Sequence, residues 1–271
     1  MKEDLYLLER RIGEVLFHWL YFNISGLYDV KDKPKPIKFS VEGLNLSQIH
    51  YETFELLKPD YEYIEERDIS NYNIINLPGA QLVNGVDKIP DENYRFIREQ
   101  ILIKNNLMIN KDPHRYIYIT RNNSHLLQCN GGGRRRQLIN ESEVYLLLQK
   151  YNFEYIELEQ LSFKEKIKLF QEAKVIVTPN GGALSISAFA NDKTKVIEIH
   201  SNRVKLTDQY YNICKVIGIE IIRYTNVEFI YHDQNETNLH CTTPFNMKIG
   251  DLDDFEKFII AEIAYTSHDP N

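Results

Sequence analysis

The second half of the chain alternates between short apolar runs and segments whose apolar residues recur at helical spacing. The runs have the length and composition of buried strands, and the segments between them have the pattern of amphipathic helices. The strands are expected at 115–121, 153–158, 174–179, 194–200 and 219–224, and the helices at 139–152, 162–173, 181–190, 209–218 and 251–265. Strict alternation of strand and helix predicts a parallel, doubly wound sheet.

The first hundred residues show a looser alternation of the same kind. Helices are expected at 5–22, 47–57 and 91–107, with Asp91 as the N-cap of the last, and strands at 61–65 and 72–78. The pattern breaks over 104–114, which predicts two Rossmann-like α/β domains facing a cleft. Ligands of such sheets bind beyond the carboxyl ends of the strands, so we expect the site in the loops that follow them.

The composition is that of a folded globular protein with an acidic surface. The chain has 271 residues, of which 43% are hydrophobic, and its formal net charge is -7. An acidic surface disfavours binding to nucleic acid, which requires a wide basic face with interleaved aromatic residues. The local cluster Arg134, Arg135 and Arg136 is too narrow for that, so no nucleic-acid partner is expected.

Cysteine usage and the N-terminal pattern bear on the compartment. Cys129, Cys214 and Cys241 form no CxxC pair, which signals neither a disulfide framework nor a zinc site. Acidic residues interrupt the apolar pattern near the N-terminus, unlike in a signal peptide, and no apolar run is long enough to span a membrane. We therefore expect a cytoplasmic protein without a transmembrane segment. Its abundance of Asn, Ile, Lys and Tyr is typical of AT-rich genomes, as in some bacteria and large DNA viruses.

The segment "VIVTPNGGALSISAF" at 175–189 is the first candidate for chemistry. A strand ending at Pro179 and a turn through Asn180, Gly181 and Gly182 would present the N–H groups of a helix start, which is an anion site. The glycines permit positive φ angles and close approach of a phosphate, and Ser185 and Ser187 can add hydroxyl groups. A tight turn without a ligand is the alternative.

Arginines precede and follow the loop after the first strand of this half. Arg121 ends that strand, and Arg134, Arg135 and Arg136 come just before the next helix. Guanidinium groups neutralise diphosphates through bidentate contacts. A solvated basic loop made flexible by its three neighbouring glycines is the alternative.

Two carboxylates and one histidine are further candidates. Glu198 lies inside the apolar run "VIEIH", where a buried carboxylate needs a partner, either the hydroxyls of a ribose or a structural salt bridge. Glu141 follows Asn140 at a helix start, where the helix dipole by itself favours an acid. His18 is either a satisfied core residue or a general base.

Several of these motifs, in this order, resemble those of glycosyltransferase family 61. The family includes bacterial capsular-polysaccharide-type transferases and eukaryotic xylosyl-, arabinosyl- and N-acetylglucosaminyltransferases. The resemblance is carried by "FHWL", "YIYITR", "RRRQLINESEV", "LSFKEKIKLFQEAKVIVTPNGGALSISAFA" and "KVIEIH". It covers residues 12–223 and is strongest over 115–200.

The resemblance implies a GT-B-like fold with an acceptor domain at 1–108 and a nucleotide-sugar-binding domain at 109–271. It implies a nucleoside-diphosphate sugar as donor, a UDP-sugar first, a glycan acceptor and inversion at the anomeric carbon. It also implies no cofactor and no obligatory metal, which agrees with the lack of a DxD motif in a strand-end loop. The donor-binding residues would be Arg121, Arg135, Arg136, Asn140, Asn180, Gly181, Gly182, Ala183, Leu184 and Glu198, and the catalytic residues His18 and Glu141.

The sequence departs from the family pattern at two places. Asn180 stands where the family has a histidine, and it can donate hydrogen bonds but carries no charge. Phe22 and Asn23 stand where many members have a carboxylate after the N-terminal histidine. The base is then His18, Glu14 or Glu141, and a degenerate member that binds a nucleotide or glycan without turnover is the alternative function. From the small size of the expected first domain, we expect an acceptor site that is open or shared with a partner subunit in a homodimer.

Overall fold

The computed structural model describes residues 2–8, 16–41, 46–77, 82–83, 86–87, 89–109, 111–121, 137–201, 208–231 and 245–266. The strands are β1 (Asp4–Leu8), β2 (Ile37–Val41), β3 (Tyr61–Tyr63), β4 (Asn73–Leu77), β5 (Leu82–Val83), β6 (Val86–Asp87), β7 (Arg115–Ile119), β8 (Phe153–Ile156), β9 (Ala173–Pro179), β10 (Lys195–Ile199), β11 (Glu220–Tyr224), β12 (Glu228–Tyr231) and β13 (Phe245–Lys248). The α-helices are α1 (Leu16–His18), α2 (Gln48–Leu57), α3 (Asp91–Arg98), α4 (Glu141–Gln149), α5 (Phe163–Glu172), α6 (Gln209–Ile217) and α7 (Leu252–Thr266).

Short 3₁₀ and π segments complete the secondary structure. The 3₁₀ segments are Ile24–Val30, Glu66–Asn71, Leu158–Gln160 and Gly182–Phe189, and the π segments are Trp19–Asn23 and Glu99–Ile103. The chain divides into two units. The first contains Met1–Met108 and Ser162–Lys168, and the second contains Ile109–Leu161 and Leu169–Asn271.

The second unit contains a five-stranded parallel sheet in the order β11-β10-β9-β7-β8. From β7 the chain first adds β8 on one side and then crosses to β9 on the other side. The point where the direction of winding reverses therefore lies between β7 and β9. In open parallel sheets, ligands bind at this topological switch point, beyond the carboxyl ends of the strands.

The core of the second unit packs the sheet against α4 and α7. It includes Tyr118 and Val177 from the sheet, Leu148 from α4, and Phe255 and Ile259 from α7. Each of these side chains is almost fully removed from solvent, so hydrophobic burial holds the two helices on the sheet.

One buried charge lies at the start of β10. The Lys195 side chain is only 2% exposed, and its Nζ lies 2.8 Å from Glu262 on α7 and 3.4 Å from Glu220 on β11. Because a buried ammonium group needs nearby carboxylates, this cluster fixes the position of α7 against the sheet.

The first unit contains a four-stranded sheet in the order β3-β2-β1-β4, and all of its neighbouring strands are parallel. The predicted helix at 5–22 is wrong at its beginning, because residues 4–8 form the central strand β1. A central parallel strand is covered on both faces and reads as a continuous apolar run, which periodicity alone does not distinguish from a helix. Pairing with β2 and β4 decides the conformation of "DLYLL".

The predicted helix at 91–107 also differs in detail. Asp91 is the first residue of α3 and Pro90 occupies the N-cap position. The helix widens after Arg98 into the π segment, where the Lys104 N–H donates to the Glu99 carbonyl at 3.0 Å. The Asn105 side chain then bonds the last helical carbonyls, including that of Gln100 at 3.0 Å, and ends the helix.

The fold class is α/β with two parallel, Rossmann-like sheets, as the alternation of strands and helices predicted. The antiparallel pair β12 and β13 in the second unit was not predicted. None of the helices in the described ranges is both long enough and apolar enough to cross a membrane.

Candidate active site

Two loops of the second unit meet at the switch point of its sheet. Arg121 lies two residues beyond the end of β7, and Asn180 directly follows β9. The Arg121 guanidinium donates a hydrogen bond from Nη1 to the backbone carbonyl of Asn180. The Asn180 N–H donates to the Ile199 carbonyl at the end of β10, at 3.0 Å. The carboxyl ends of three neighbouring strands are thereby joined around one cation.

Gly181 gives the guanidinium the space that it occupies. A Cβ atom at this position would overlap Arg121, lying 2.7 Å from Cζ. The backbone of Gly181 is extended, with φ of 169°. Close approach therefore requires the glycine, whereas the left-handed backbone that the sequence permits at Gly181 and Gly182 is adopted at neither.

The segment after the glycines is a 3₁₀ helix from Gly182 to Phe189 and not the α-helix that was predicted. Its hydrogen bonds run from residue i+3 to residue i, as from the Leu184 N–H to the Gly181 carbonyl at 3.0 Å. Because the segment is buried on all sides beyond Ala183, tertiary packing overrides its local preference. The N–H groups of the first turn have no partner within the helix, and Gly182 and Ala183 are partly exposed.

Ser185 and Ser187 do not extend this anion site as the sequence suggested, because both side chains are fully buried beneath the 3₁₀ helix. Ser187 lies near the thiol of Cys214 on α6, and burial raises the pKa of Cys214 to about 12. The thiol is therefore protonated and serves as a packing group. Leu184 is also buried, so it supports the turn from below.

Glu198 lies in β10 with no solvent exposure. One carboxylate oxygen accepts a hydrogen bond from the Asn180 side-chain amide, and the other accepts from Arg223 Nε at 2.8 Å. This is the structural salt bridge that the sequence left open beside a ribose contact. The contacts form a continuous chain from Arg223 through Glu198 and Asn180 to Arg121, which we call the strand-end network.

Sequence reasoning missed Arg223, the outer member of the strand-end network. Arg223 is the register partner of Glu198 on β11, and its Nη1 also lies 2.9 Å from Asp208. Burial by itself would lower the pKa of Arg223, but its hydrogen bonds and charge contacts with Glu198 and Asp208 raise it. The signal was present in "IEIIRY", where an arginine interrupts a strand that pairs with "VIEIH".

Glu141 begins α4 and faces three hydroxyl groups. Its carboxylate accepts hydrogen bonds from Tyr118 at 2.8 Å, Thr120 at 2.6 Å and Tyr155 at 3.2 Å. Burial and the Glu141 charge raise the pKa of Tyr118, so the phenol stays protonated and donates. The start of α4 is thereby bound to the end of β7, one residue before Arg121.

Asn140 is turned toward a different partner. Its side-chain amide donates to the Ile249 carbonyl at 2.9 Å and accepts from the Ile249 N–H at 3.2 Å. This pair of bonds fixes the segment after β13 to the start of α4. The observed contacts of Asn140 are therefore structural, and they do not join it to the strand-end network.

His18 belongs to the first unit and is the last residue of α1, directly before the π segment Trp19–Asn23. Its ring is half-buried, stacks on Phe22 at 5.0 Å between centroids, and meets the edge of Phe17 at 5.8 Å. The Asn23 amide donates to the His18 carbonyl at 3.2 Å. Single π turns inside helices are frequent at functional sites. The π segment directly after His18 therefore favours this residue as a candidate base more than its sequence context alone does.

Other expected site residues lie outside the described part of the chain. These are Arg135 and Arg136, together with the neighbouring Arg134 and the alternative base Glu14. Within the described ranges, no group of three or more His, Cys, Asp or Glu side chains is arranged to hold a metal ion.

A sequence model of the family described as Glycosyltransferase 61 matches residues 45–197. The match includes Arg121, Glu141, Asn180 and Gly181, while His18 and Glu198 lie outside it. No curated protein matches the sequence. Among solved structures, the dodecameric iron-containing heptosyltransferase TibC in complex with ADP-D-beta-D-heptose is similar over 80% of this chain and 73% of its own, with 12% identity and a TM-score of 0.39. A TM-score of 0.39 does not establish a shared fold.

Proposed function

The chain belongs to glycosyltransferase family 61, and from that premise we propose an inverting, metal-independent transfer of a sugar from a nucleoside-diphosphate donor to a glycan acceptor. A UDP-sugar is the first donor to test, and the product is a polysaccharide or a glycoprotein glycan. The observation that carries the proposal is the Arg121 guanidinium, held at the switch point of the second unit by the Asn180 carbonyl.

The donor pyrophosphate would lie between Arg121 and the start of the 3₁₀ helix. A guanidinium group and the N–H groups of Gly182 and Ala183 are suitable donors for phosphate oxygens. We assign Arg135 and Arg136 to the same diphosphate on the resemblance of their motif alone. Positive charge supplied by side chains is what a metal-independent reaction needs to stabilise the leaving diphosphate.

The strand-end network would position this donor site. Because both oxygens of Glu198 are bonded to protein groups, we assign Glu198 to holding Asn180 in place. Asn180 in turn fixes Arg121 through its carbonyl group. Glu141 would act on the other flank of the site by fixing the start of α4 against the end of β7, while Asn140 fixes the same helix start to the segment after β13.

The chemical step is a single displacement. The acceptor hydroxyl oxygen attacks the anomeric carbon and loses its proton to the base, for which His18 is the candidate. The bond from that carbon to the phosphate oxygen breaks, and the nucleoside diphosphate leaves with the electron pair. Attack opposite the leaving group inverts the configuration at the anomeric carbon. A positioned base contributes about 10²- to 10⁴-fold to such a reaction.

Donor turnover is the direct test. The protein is incubated with UDP-, GDP- and dTDP-sugars and a crude glycan acceptor, with and without EDTA, and released nucleoside diphosphate is measured. We expect release with one donor class and no effect of EDTA. Loss of release on adding EDTA, restored by a divalent cation, would contradict metal independence.

Arg121→Ala tests the donor site. The variant should bind the nucleoside diphosphate at least about tenfold more weakly, since hydrogen bonds to a charged group contribute about 1.5–3 kcal/mol. Arg67→Ala, which removes an arginine that is 78% exposed in the first unit, is the control and should bind as the wild type does. Equal affinity in Arg121→Ala and the wild type would exclude this diphosphate site.

His18→Ala tests the base. The variant should retain nucleotide affinity and lose transfer by roughly 10²-fold or more. Undiminished transfer would move the base to Glu14 or Glu141. Nucleotide binding by the wild type without release from any donor would favour the binding protein without turnover.

A further inference from the structure

A cavity of about 410 Å³ lies in the first unit, at the amino-terminal ends of β2 and β3. Tyr61 is the first residue of β3, and Lys35 comes two residues before the start of β2. Both line the cavity, together with Tyr28, Arg95, Phe96 and Glu99. We call it the Tyr61 pocket. Substrates of parallel sheets bind at the opposite, carboxyl-terminal edge, so this pocket is separate from the strand ends where the transfer chemistry is expected.

The Tyr61 hydroxyl is the first sign that the pocket takes a ligand. The side chain is 1% exposed, and its buried hydroxyl has no hydrogen-bond partner within the described part of the chain. Burial raises the pKa of Tyr61, so the phenol remains an O–H donor at neutral pH. Buried polar groups are rarely left without a partner, and the Tyr61 side chain is among those that line the cavity.

Two of the lining lysines are neutralised by protein carboxylates. Lys31 Nζ lies 3.3 Å from Asp32 and 4.0 Å above the Tyr28 ring. Lys104 is paired with Asp60. Neither lysine is therefore available as a full positive charge for a bound anion.

The remaining charged groups of the pocket balance one another. Lys35 and Arg95 are cationic, Glu92 and Glu99 are anionic, and none of the four forms an ion pair with a described residue. Lys35 Nζ lies 4.2 Å above the Tyr61 ring, and its pKa is lowered by burial. Because these charges balance, the wall offers no net attraction for a nucleotide or another polyanion.

The lining groups match the chemistry of a sugar. Each hydroxyl of a sugar both donates and accepts hydrogen bonds, and therefore needs acceptors and donors side by side. Of the aromatic side chains that line the pocket, Tyr28 is partly exposed and Tyr61 and Phe96 are buried, so hydrogen bonds rather than ring stacking would hold a sugar there. The volume falls in the range of roughly 300–1,000 Å³ that is usual for small-ligand sites. The π segment that begins at Glu99 forms one wall, and such turns recur at functional sites.

We propose that the Tyr61 pocket is a second carbohydrate-binding site, which takes one neutral sugar residue. Tyr61 donates to a sugar hydroxyl, Arg95 and Lys35 donate at the rim, and Glu92 and Glu99 accept. In the cell, the pocket would bind a sugar unit of the glycan acceptor that is distant from its reacting end. That role rests on the proposed function, whereas sugar binding itself does not.

Saturation-transfer NMR with the full chain tests the binding. The probes are neutral sugars (glucose, galactose, mannose, xylose, rhamnose and N-acetylglucosamine, each as the free sugar and as a short oligosaccharide), with UDP and inorganic phosphate as anionic probes. We expect at least one neutral sugar to bind. Substitution of pocket residues should leave any binding of UDP or inorganic phosphate unchanged. Stronger binding of the oligosaccharide would identify a glycan chain as the source of the sugar unit.

Tyr61→Phe removes only the hydroxyl donor. Affinity for the neutral sugar should fall about two- to tenfold, the effect of losing one hydrogen bond. The melting temperature should stay the same or rise, because the hydroxyl has no partner among the residues that the structure describes. Tyr51→Phe, at a tyrosine that is 51% exposed on α2 and does not line the pocket, is the matched control and should bind as the wild type does.

Three results would overturn the proposal. They are no binding of any neutral sugar in the panel, equal sugar affinity in Tyr61→Phe and the wild type, and displacement of the bound sugar by phosphate. Donor hydrolysis separates this proposal from the previous one, since Tyr61→Phe should leave hydrolysis unchanged and Arg121→Ala should leave neutral-sugar binding unchanged.

Discussion

Replacing Glu198 by glutamine is the sharpest test of the strand-end network. The substitution keeps the shape of the side chain and removes its charge. Two donors, the Asn180 amide and Arg223 Nε, now face it. A glutamine side chain offers one acceptor oxygen and one donor NH₂ group, so it can satisfy only one of them. The remaining donor, either the Asn180 amide or Arg223 Nε, then faces the NH₂ group of the glutamine and has no acceptor there.

The size of the effect follows from the burial of each partner. Removing one member of a fully buried ion pair costs about 3–5 kcal/mol. Glu198 is 0% exposed, but the Arg223 side chain is 28% exposed and keeps Asp208 at 2.9 Å. Water and this second carboxylate therefore compensate in part for the interaction that Arg223 loses with Glu198. We expect Glu198→Gln to lower the free energy of unfolding by about 2–4 kcal/mol.

Urea denaturation of the variants measures this quantity. In an Arg223→Met background, the glutamine oxygen is free to turn toward Asn180. Glu198→Gln should therefore lower the free energy of unfolding by less in that background than in the wild type. The double-mutant cycle should then give a coupling of about 1–3 kcal/mol. Glu159→Gln, on an exposed side chain of the same unit, is the control and should change stability by less than about 0.5 kcal/mol.

Nucleotide affinity measured on the same variants tests whether the strand-end network also supports donor binding. Glu198→Gln should weaken donor binding, because Asn180 no longer holds Arg121 in place. The reasoning is refuted if Glu198→Gln is as stable as the control and the two changes are simply additive, since Glu198 would then not link Asn180 to Arg223.

Three further outcomes are expected from single changes in the second unit. Gly181→Ala places a methyl group where the Arg121 guanidinium lies, so nucleotide affinity should fall by about tenfold in a titration while the melting temperature changes little. Glu262→Ala leaves the buried Lys195 ammonium with only the more distant carboxylate, and should lower the free energy of unfolding by about 2–4 kcal/mol, more than Lys195→Met does; equal losses would contradict this asymmetry. The hydrogen bond from Arg115 lowers the pKa of Glu154, so this pair stabilises the fold above the ordinary carboxyl pKa of 4.5 and loses its effect as the pH falls through the lowered value. Because Glu154 is 46% exposed, Glu154→Gln should remove no more than about 1 kcal/mol at pH 7 and reduce the loss of stability between pH 5 and pH 3.

Much of the second unit was predictable because its signals are local. Each strand from β7 to β10 is a short apolar run, and a segment with a helical pattern follows it before the next strand; both patterns depend only on neighbouring residues. The break at Pro179 and the two glycines after it also identified the loop at the switch point. Arg121 could be found the same way, since it directly follows an apolar run.

The contacts that organise the site were not local, and the sequence left them open. The Asn140 amide pairs with Ile249, which is 109 positions away, so no short pattern could show that its side chain is structural. Glu198 required a partner, but only the pairing of β10 with β11 places Arg223 beside it and decides for the salt bridge.

The amino-acid sequence by itself determined the α/β class, the order of elements in the second half, and the loop that carries Asn180 and Gly181, because periodicity and turn residues act over a few positions. Only the tertiary structure decided that residues 4–8 form a central strand, that the segment after Gly181 is a 3₁₀ helix, and which groups satisfy Glu198. These outcomes depend on burial between elements distant in sequence. A buried segment adopts the conformation that satisfies its neighbours, even where local preference favours another.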